Sequence, residues 1–540
     1  MAPSLTPQTR GAARIGRILI ILAVVLGLLA VVLGNGLRVD RTTLGPGAPG
    51  DDVTVLFGEP DSLDPAAQGD AASASIVAQL FEGLTTFDPG LNVRPALAES
   101  WDFLDGGSRF VFHLRPDLKF SDGTPLTGED VVRSWLRVID PADPSPLSGL
   151  FSDVVGATEY LGGRNRDASS VGISADGDDV EVRMVRPAAE LPSILASPTF
   201  AVVPAVIDTD PDALEASGFV GSGAYRLVAG FSDELTLEAN EHYWAGRPTI
   251  GTVHFLTGIQ GQSPVAAFES GDVDYTAISD FDASWITYDR VLGPSLRSVS
   301  SLSVTYYGFD TRAPPFDDAR VRQAFALAVD WDRLVQLSGP ATQLPATSMV
   351  PPGIPGRSET DFSPRYDPDA ARQLIADAGF PGGRGFPETR LMTGGGFIDE
   401  GIRTQVRDVL GIELAYETMD FSDYFKRLEV DPPPMWQLTW SADYPGRNDF
   451  LGLLLGAGQS NNYGRWASPE FEAAIAEAGA ALDETAQRAA YDRAERIVQD
   501  QVPVIPAAYG TGWALARDGL LGAEQNGLGI LRLAGLAWAS

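Results

Sequence analysis

Apolar and polar residues follow two different periods along most of the chain. The segment VTVLF at 53–57 is a short apolar run typical of a buried strand, and RFVFHL at 109–114 alternates as a half-exposed strand does. The segments 74–84 and 317–336 instead repeat apolar residues every three or four positions, which predicts amphipathic helices. Strands interleaved with helices predict an α/β protein with open, mixed sheets.

Capping residues mark where several helices begin. Thr127 and Asp130 form a predicted capping box before VVRSWLRV. Asp367 followed by Pro368 predicts the start of the next clear helix, and the Ser-Pro pair at 468–469 predicts another. These local signals predict helix starts without reference to the rest of the fold.

One long apolar run lies near the N-terminus. It comprises twenty uncharged residues, 18–37, preceded by arginines, and as a helix it extends about 30 Å, the thickness of a bilayer core. We expect an uncleaved transmembrane anchor, with residues 1–17 in the cytoplasm and the remainder outside. A cleaved signal peptide is the alternative, because Val32 and Gly34 are suitable small residues before a cleavage site. Residues 38–51 are expected to form a flexible linker.

Composition narrows the possible chemistry. With 72 acidic and 39 basic residues the net charge is -33, which argues against a nucleic-acid surface. The chain has no cysteine, and His113, His242 and His254 lack metal-ligand spacing, so no metal and no cofactor are expected. There is neither a nucleophile elbow nor a phosphate-binding loop. A binding protein is therefore expected in preference to an enzyme, with an anchored hydrolase as the alternative.

Six stretches, taken together, resemble the family 5 extracellular solute-binding proteins, the dipeptide- and oligopeptide-binding components of ABC importers. They occur in the family's order. The stretches are 94–135, 221–248, 268–275, 306–330, 366–383 and 501–510.

The resemblance implies two lobes that close over a ligand about a hinge. The first lobe is expected at 52–305 with an inserted subdomain at about 95–165, and the second at 306–510. The C-terminal tail, 511–540, is expected to return to the first lobe. The implied hinge residues are Tyr307, Phe309 and Pro506.

The resemblance also implies a binding site around WSADY at 440–444. In the family's peptide binders a W-x-A-D-Y stretch faces the cleft, and its aspartate receives the α-amino group of the peptide. Asp443 is then expected to select a cation, with Trp440 and Tyr444 as aromatic walls. Alternatively, Asp443 is an ordinary turn residue and the two rings are core residues. Further contacts to a peptide backbone are expected from Ala71, Asn461 and Asn462.

The implied function is the capture of peptides, or similar amine-bearing solutes, for an ABC permease on the outer face of the membrane. We expect a monomer whose partners are the ligand, the permease and the membrane. A tethered ligand sensor, or a binder of an oligosaccharide or opine, is the alternative. One departure from the family is DYPGR, where Gly446 and Arg447 follow D-Y-P in place of its usual D-P.

Overall fold

The computed structural model describes residues 50–208, 211–214, 219–231, 234–259, 261–338 and 343–539. The expected cytoplasmic segment 1–17, the anchor 18–37 and nearly all of the linker 38–51 lie outside the described residues. No helix within the described ranges combines the length and the apolar character that crossing a bilayer requires.

The strands and helices alternate along the described chain. The strands are β1 Asp52–Leu56, β2 Thr85–Phe87, β3 Val93–Pro95, β4 Ala98–Leu104, β5 Arg109–Leu114, β6 Ile173–Asp176, β7 Asp179–Arg183, β8 Tyr225–Phe231, β9 Glu234–Ala239, β10 Thr252–Leu256, β11 Tyr275–Ile278, β12 Leu296–Phe309, β13 Gln343–Pro345, β14 Thr389–Met392, β15 Leu414–Glu417, β16 Met435–Ser441, β17 Val504–Ala516, β18 Leu520–Leu521 and β19 Ala537–Trp538. The helices are α1 Ala71–Leu80, α2 Gly128–Val138, α3 Ala157–Leu161, α4 Leu191–Ile194, α5 Pro264–Ser270, α6 Asp280–Ile286, α7 Ala319–Leu327, α8 Trp331–Ser338, α9 Pro368–Asp377, α10 Phe397–Leu410, α11 Phe421–Val430, α12 Arg447–Phe450, α13 Gly452–Leu455, α14 Pro469–Ala480 and α15 Glu484–Gln501.

A large mixed sheet runs through the molecule in the order β15-β14-β16-β12-β17-β11-β1-β10-β9-β8, with β13 beside β17. In one half β1 pairs in parallel with β10 and β11, and in the other half β14 pairs in parallel with β15 and β16. The long antiparallel strands β12 and β17 belong to both halves. Helices pack on each half, so the α/β prediction with mixed sheets is confirmed.

The pairing of β12 with β17 is interrupted where the chain passes from one half to the other. Ser300 pairs with Thr511, and the next pair is Val304 with Tyr509. The two strands approach each other closely there. A Cβ added at Gly510 would lie only 2.7 Å from Ser303 Oγ. This interruption marks the crossing between the two lobes.

The residues expected at the hinge lie beyond this interruption, in the second lobe. Tyr307 and Phe309 are buried among its helices, and Tyr307 donates a hydrogen bond to Asp399 at 2.8 Å. Pro506 is buried opposite Tyr306. The register of β12 and β17 shifts a second time between Thr305 and Tyr306, so the predicted hinge residues adjoin an irregular part of the same strand pair, and their role in a hinge stays a prediction.

The inserted subdomain is built on a separate sheet, in the order β4-β5-β7-β6. Helix α2 covers this sheet, and the indole N–H of its Trp135 donates to the Phe200 carbonyl at 2.9 Å. Strands β6 and β7 follow residue 165, so the sheet extends past the expected limit of the insertion at 95–165.

The C-terminal tail packs on the first lobe. Leu531, Leu533 and Leu536 are buried in the same core as β1 and α1. The indole N–H of Trp538 donates to the Asp52 carbonyl at 3.0 Å. The tail therefore covers the start of the first strand.

The segment 317–336, expected as one helix, contains two. Helix α7 ends at Leu327, and α8 begins at Trp331 after Asp330. The Asp330 side chain accepts from the Arg333 N–H at 3.2 Å, and the Asp330 N–H donates to Gln405 at 2.8 Å. An N-terminal cap inside the amphipathic pattern thus starts a second helix.

Candidate ligand-binding site

The loop that carries Asp443 begins beside the lobe crossing. Strand β16 ends at Ser441, which pairs with Ser303 in the interrupted part of β12. The next residue, Ala442, donates its N–H to the Leu302 carbonyl at 2.9 Å. The backbone thus fixes the start of this loop at the crossing.

Asp443 is half-buried and has no charged partner. Within the described residues no side chain forms a hydrogen bond or an ion pair with its carboxylate, and its backbone N–H donates to Asp449. Burial raises the pKa of Asp443 to about 6. A partly desolvated carboxylate without a donor is unfavourable by itself and is stabilised by a cation.

A second acid, Asp449, lies fully buried behind Asp443. Its Oδ2 accepts from the indole N–H of Trp440 at 3.0 Å and from the Asp443 N–H at 3.3 Å. Its Oδ1 is buried and has no hydrogen-bond partner. Burial, followed by the charge of Asp443, raises the pKa of Asp449 well above its usual value.

Tyr444 connects the second lobe to the first. Its ring is fully buried in the apolar core of the inserted subdomain, and its hydroxyl donates to Glu190. The hydroxyl of Tyr491 donates to the other Glu190 oxygen at 2.6 Å. Tyr444 therefore fastens the two lobes together, and its buried ring is not exposed to a ligand, contrary to the expectation of an aromatic wall.

The two residues that depart from the family pattern have different partners, and Gly446 is the one that adjoins this contact. A Cβ on Gly446 would lie 2.2 Å from the Tyr444 ring and 2.8 Å from Glu190, so a larger residue would displace the tyrosine. The buried Arg447 donates to Asp492 at 2.8 Å and also to Glu495. Its positive charge is directed to helix α15 and not to Asp443.

The remaining residues predicted to contact the ligand differ in whether their polar groups are available to it. The side-chain N–H groups of Asn462 donate to the carbonyls of Leu455, Gly456 and Trp466, which leaves none for a ligand, so its expected role is not supported by this geometry. The side chain of half-buried Asn461 makes no hydrogen bond within the described residues. Ala71 is exposed at the first position of α1.

A cavity of about 350 Å³ adjoins the Asp443 loop. Glu190 and Trp101 line it from the first lobe, and Pro445, Arg447 and Tyr491 line it from the second. Its volume is at the lower end of the range for small-molecule pockets.

The model of the bacterial extracellular solute-binding proteins, family 5 Middle, matches residues 92–462. The chain belongs to this family. The resemblance noted from the sequence is thereby confirmed, and so is the two-lobe fold.

Several individual proteins are similar over most of their length. The probable deoxycholate-binding periplasmic protein YgiS of Escherichia coli K12 is 30% identical over 84% of this chain and 86% of its own. The periplasmic oligopeptide-binding protein OppA of Salmonella typhimurium LT2 is 28% identical over 84% and 85%. Among solved structures, the unliganded open form of the murein tripeptide binding protein MppA is 23% identical, with a TM-score of 0.80 over 91% of this chain and 98% of that one.

Two acids of this candidate region, Asp449 and Glu190, were not predicted from the sequence. Asp449 follows Asp443 by six positions, and its proximity in the turn-rich segment was the available signal. Glu190 is 254 positions from Tyr444, and no local pattern connects them.

Proposed function

We propose that this solute-binding protein captures peptides, or similar amine-bearing solutes, and delivers them to the permease of an ABC importer. The observation that carries the proposal is the carboxylate of Asp443, which is partly desolvated, lacks a cationic partner and lies beside the lobe crossing. A ligand ammonium supplies a charge-assisted hydrogen bond worth about 1.5 to 3 kcal/mol. Trp440 adds an apolar and cation-binding surface beside it.

Binding proceeds without covalent chemistry. The lobes rotate about the interrupted pairing at 300–304 and close over the ligand, and the permease recognises the closed state. Main-chain groups near Ala71 and the side chain of Asn461 are the further peptide contacts in this proposal.

A second candidate ligand is an anionic steroid, because a 30% identical relative is named as deoxycholate-binding. The partly desolvated carboxylate of Asp443 disfavours a carboxylate ligand at this position, since like charges repel in a desolvated site. Deoxycholate is therefore a useful test ligand, because it is expected to bind poorly where a free-amine peptide binds well.

The experiment is calorimetric titration with a free-amine tripeptide, its N-acetylated form and deoxycholate. Asp443→Asn is expected to weaken free-amine binding by at least about tenfold, because the charge-assisted bond is lost. The acetylated peptide is expected to bind wild-type protein poorly. Asp369→Asn, which removes a highly exposed acid in the second lobe, is the matched control. Equal affinity of wild type and Asp443→Asn, or preference for deoxycholate, would refute the amine site.

We also propose that residues 18–37 anchor the protein to the cytoplasmic membrane, with the binding lobes outside. Detergent, and not high salt, is then expected to release it from membranes, because an apolar helix is held by lipid and not by charge. A mature form beginning near Asn35 in the medium would show that the segment is cleaved.

A further inference from the structure

The two oxygens of Asp449 have very different surroundings. Oδ2 accepts the Trp440 indole N–H and the Asp443 backbone N–H, whereas Oδ1 is buried without any partner. The residue has no exposed surface. An ionised carboxylate at this position would leave one charged oxygen without a donor, which is a costly arrangement in a buried site.

Among the residues that the structure describes, no cation compensates a charge on Asp449. Burial and the neighbouring acids Asp443 and Glu190 raise the pKa of Asp449, whereas the N–H donors of Trp440 and Asp443 lower it, with a net upward shift. The hydroxyl of Tyr444 is also near. Arg447 is close in sequence, but its guanidinium is bound by the two acids of helix α15. The side chains packed around Asp449 therefore favour the uncharged form.

Asp443 differs from Asp449 in its exposure to solvent. Its carboxylate receives no hydrogen bond from the described residues, and it is only half-buried, whereas Asp449 is fully buried. A proton on Asp449 removes the charge that Oδ1 would otherwise hold without a donor in the described residues. The more exposed acid then keeps the negative charge, where a ligand has access to it.

We propose that Asp449 is a positioning residue held as a neutral carboxylic acid. Through Oδ2 it accepts from the Trp440 indole and from the Asp443 backbone N–H, and so fixes the ring and the backbone that carries the Asp443 carboxylate. The pair thus presents one negative charge, which suits a ligand with a single ammonium at this subsite. This inference rests on the proposed amine site at Asp443.

Two substitutions distinguish this positioning role from one in which Asp449 is a second negative charge that binds the ligand directly. Asp449→Asn keeps the size and an oxygen acceptor for both N–H donors, so the affinity for a free-amine tripeptide is expected to stay within about twofold of wild type. Asp449→Ala removes the acceptor and is expected to weaken binding about tenfold and to shift the Trp440 fluorescence. A tenfold loss in Asp449→Asn, or wild-type affinity in Asp449→Ala, would overturn the proposal.

Infrared spectroscopy tests the proton directly and does not depend on ligand binding. At pH 7 a carboxylic-acid carbonyl band is expected in wild type and in Asp443→Asn, and it is expected to be absent in Asp449→Asn. The pKa of Glu190, at the contact between the lobes, is also raised. The Glu190→Gln variant therefore identifies any band that comes from this acid. A spectrum unchanged by Asp449→Asn would overturn the neutral acid, even if Asp449→Ala fails to fold.

These experiments distinguish a failure of the positioning role of Asp449 from a failure of the proposed amine site. If Asp443→Asn binds peptides as wild type does, the amine site fails, while the infrared band still reports the protonation of Asp449. If Asp443→Asn fails to bind but the band does not depend on Asp449, only the positioning role fails.

Discussion

Two neighbouring acidic sites at the junction of the lobes are built differently. Glu190 accepts from the hydroxyls of Tyr444 and Tyr491, so each of its oxygens has a donor from the second lobe. Asp443, one residue before Tyr444, has no donor to its carboxylate within the described residues. An acid whose donors the protein supplies fastens structure, whereas one without a donor is available to a ligand.

The same loop therefore performs two tasks. Tyr444 and Gly446 fix it to the inserted subdomain, while the Trp440 indole N–H donates to Asp449 and the Asp443 carboxylate receives no hydrogen bond from the described residues. Fixing the loop keeps the unpaired carboxylate in one place, which reduces the entropy lost on binding.

The largest effect is expected from Gly446→Ala, which disrupts the contact of Tyr444 with Glu190. Its Cβ would lie 2.2 Å from the Tyr444 ring, so the ring must leave the core and its contact with Glu190. The free energy of unfolding, measured by urea denaturation, is expected to fall by about 3 kcal/mol. Gly394→Ala is the matched control, because its Cβ meets nothing within 4 Å. Equal stability of the two variants would contradict the close packing.

Glu190→Ala is expected to have a somewhat smaller effect on the same contact. It leaves the buried hydroxyls of Tyr444 and Tyr491 without their acceptor, while the adjoining cavity of about 350 Å³ admits water that offsets part of the loss. We expect unfolding free energy to fall by about 2 kcal/mol. Glu484→Ala, an exposed acid lining the same cavity, is the control. An unchanged value for Glu190→Ala would show that the acid does not fasten the lobes.

The pH dependence of binding sharpens the other side of the comparison. Burial raises the pKa of Asp443 to about 6 in the free protein, and a bound ammonium favours the ionised form and lowers it. If the proposed amine site is correct, the ligand is expected to bind best above pH 6 and to lose affinity as the pH falls through 6.

Between pH 7 and pH 5 a free-amine peptide is expected to lose about tenfold in affinity, because the ionised fraction of Asp443 falls about tenfold. Calorimetry across this range measures the change, with Asp443→Asn as a control that should give a flat profile over the same interval. A wild-type midpoint near the ordinary aspartate value would mean that the carboxylate is fully solvated.

Local signals in the sequence were enough for the secondary structure and the family. Asp367 accepts from the Ala370 N–H at 2.9 Å, and the capping box at Thr127 and Asp130 is present. These contacts join residues a few positions apart, so the sequence alone contains both partners. The one amphipathic segment taken as a single helix, 317–336, contained an overlooked cap at Asp330.

The site was only partly predictable for the same reason. The periodicity of the sequence predicted the α/β fold, and the resemblance to the family made Asp443 and Trp440 candidates, because periodicity and short motifs are local properties. Only the tertiary structure decided that Asn462 and Tyr444 are used internally, that Arg447 pairs with α15, and that Asp449 supports Asp443. Whether a polar side chain is free for a ligand depends on its partners in space, and for Tyr444 that partner lies in the other lobe.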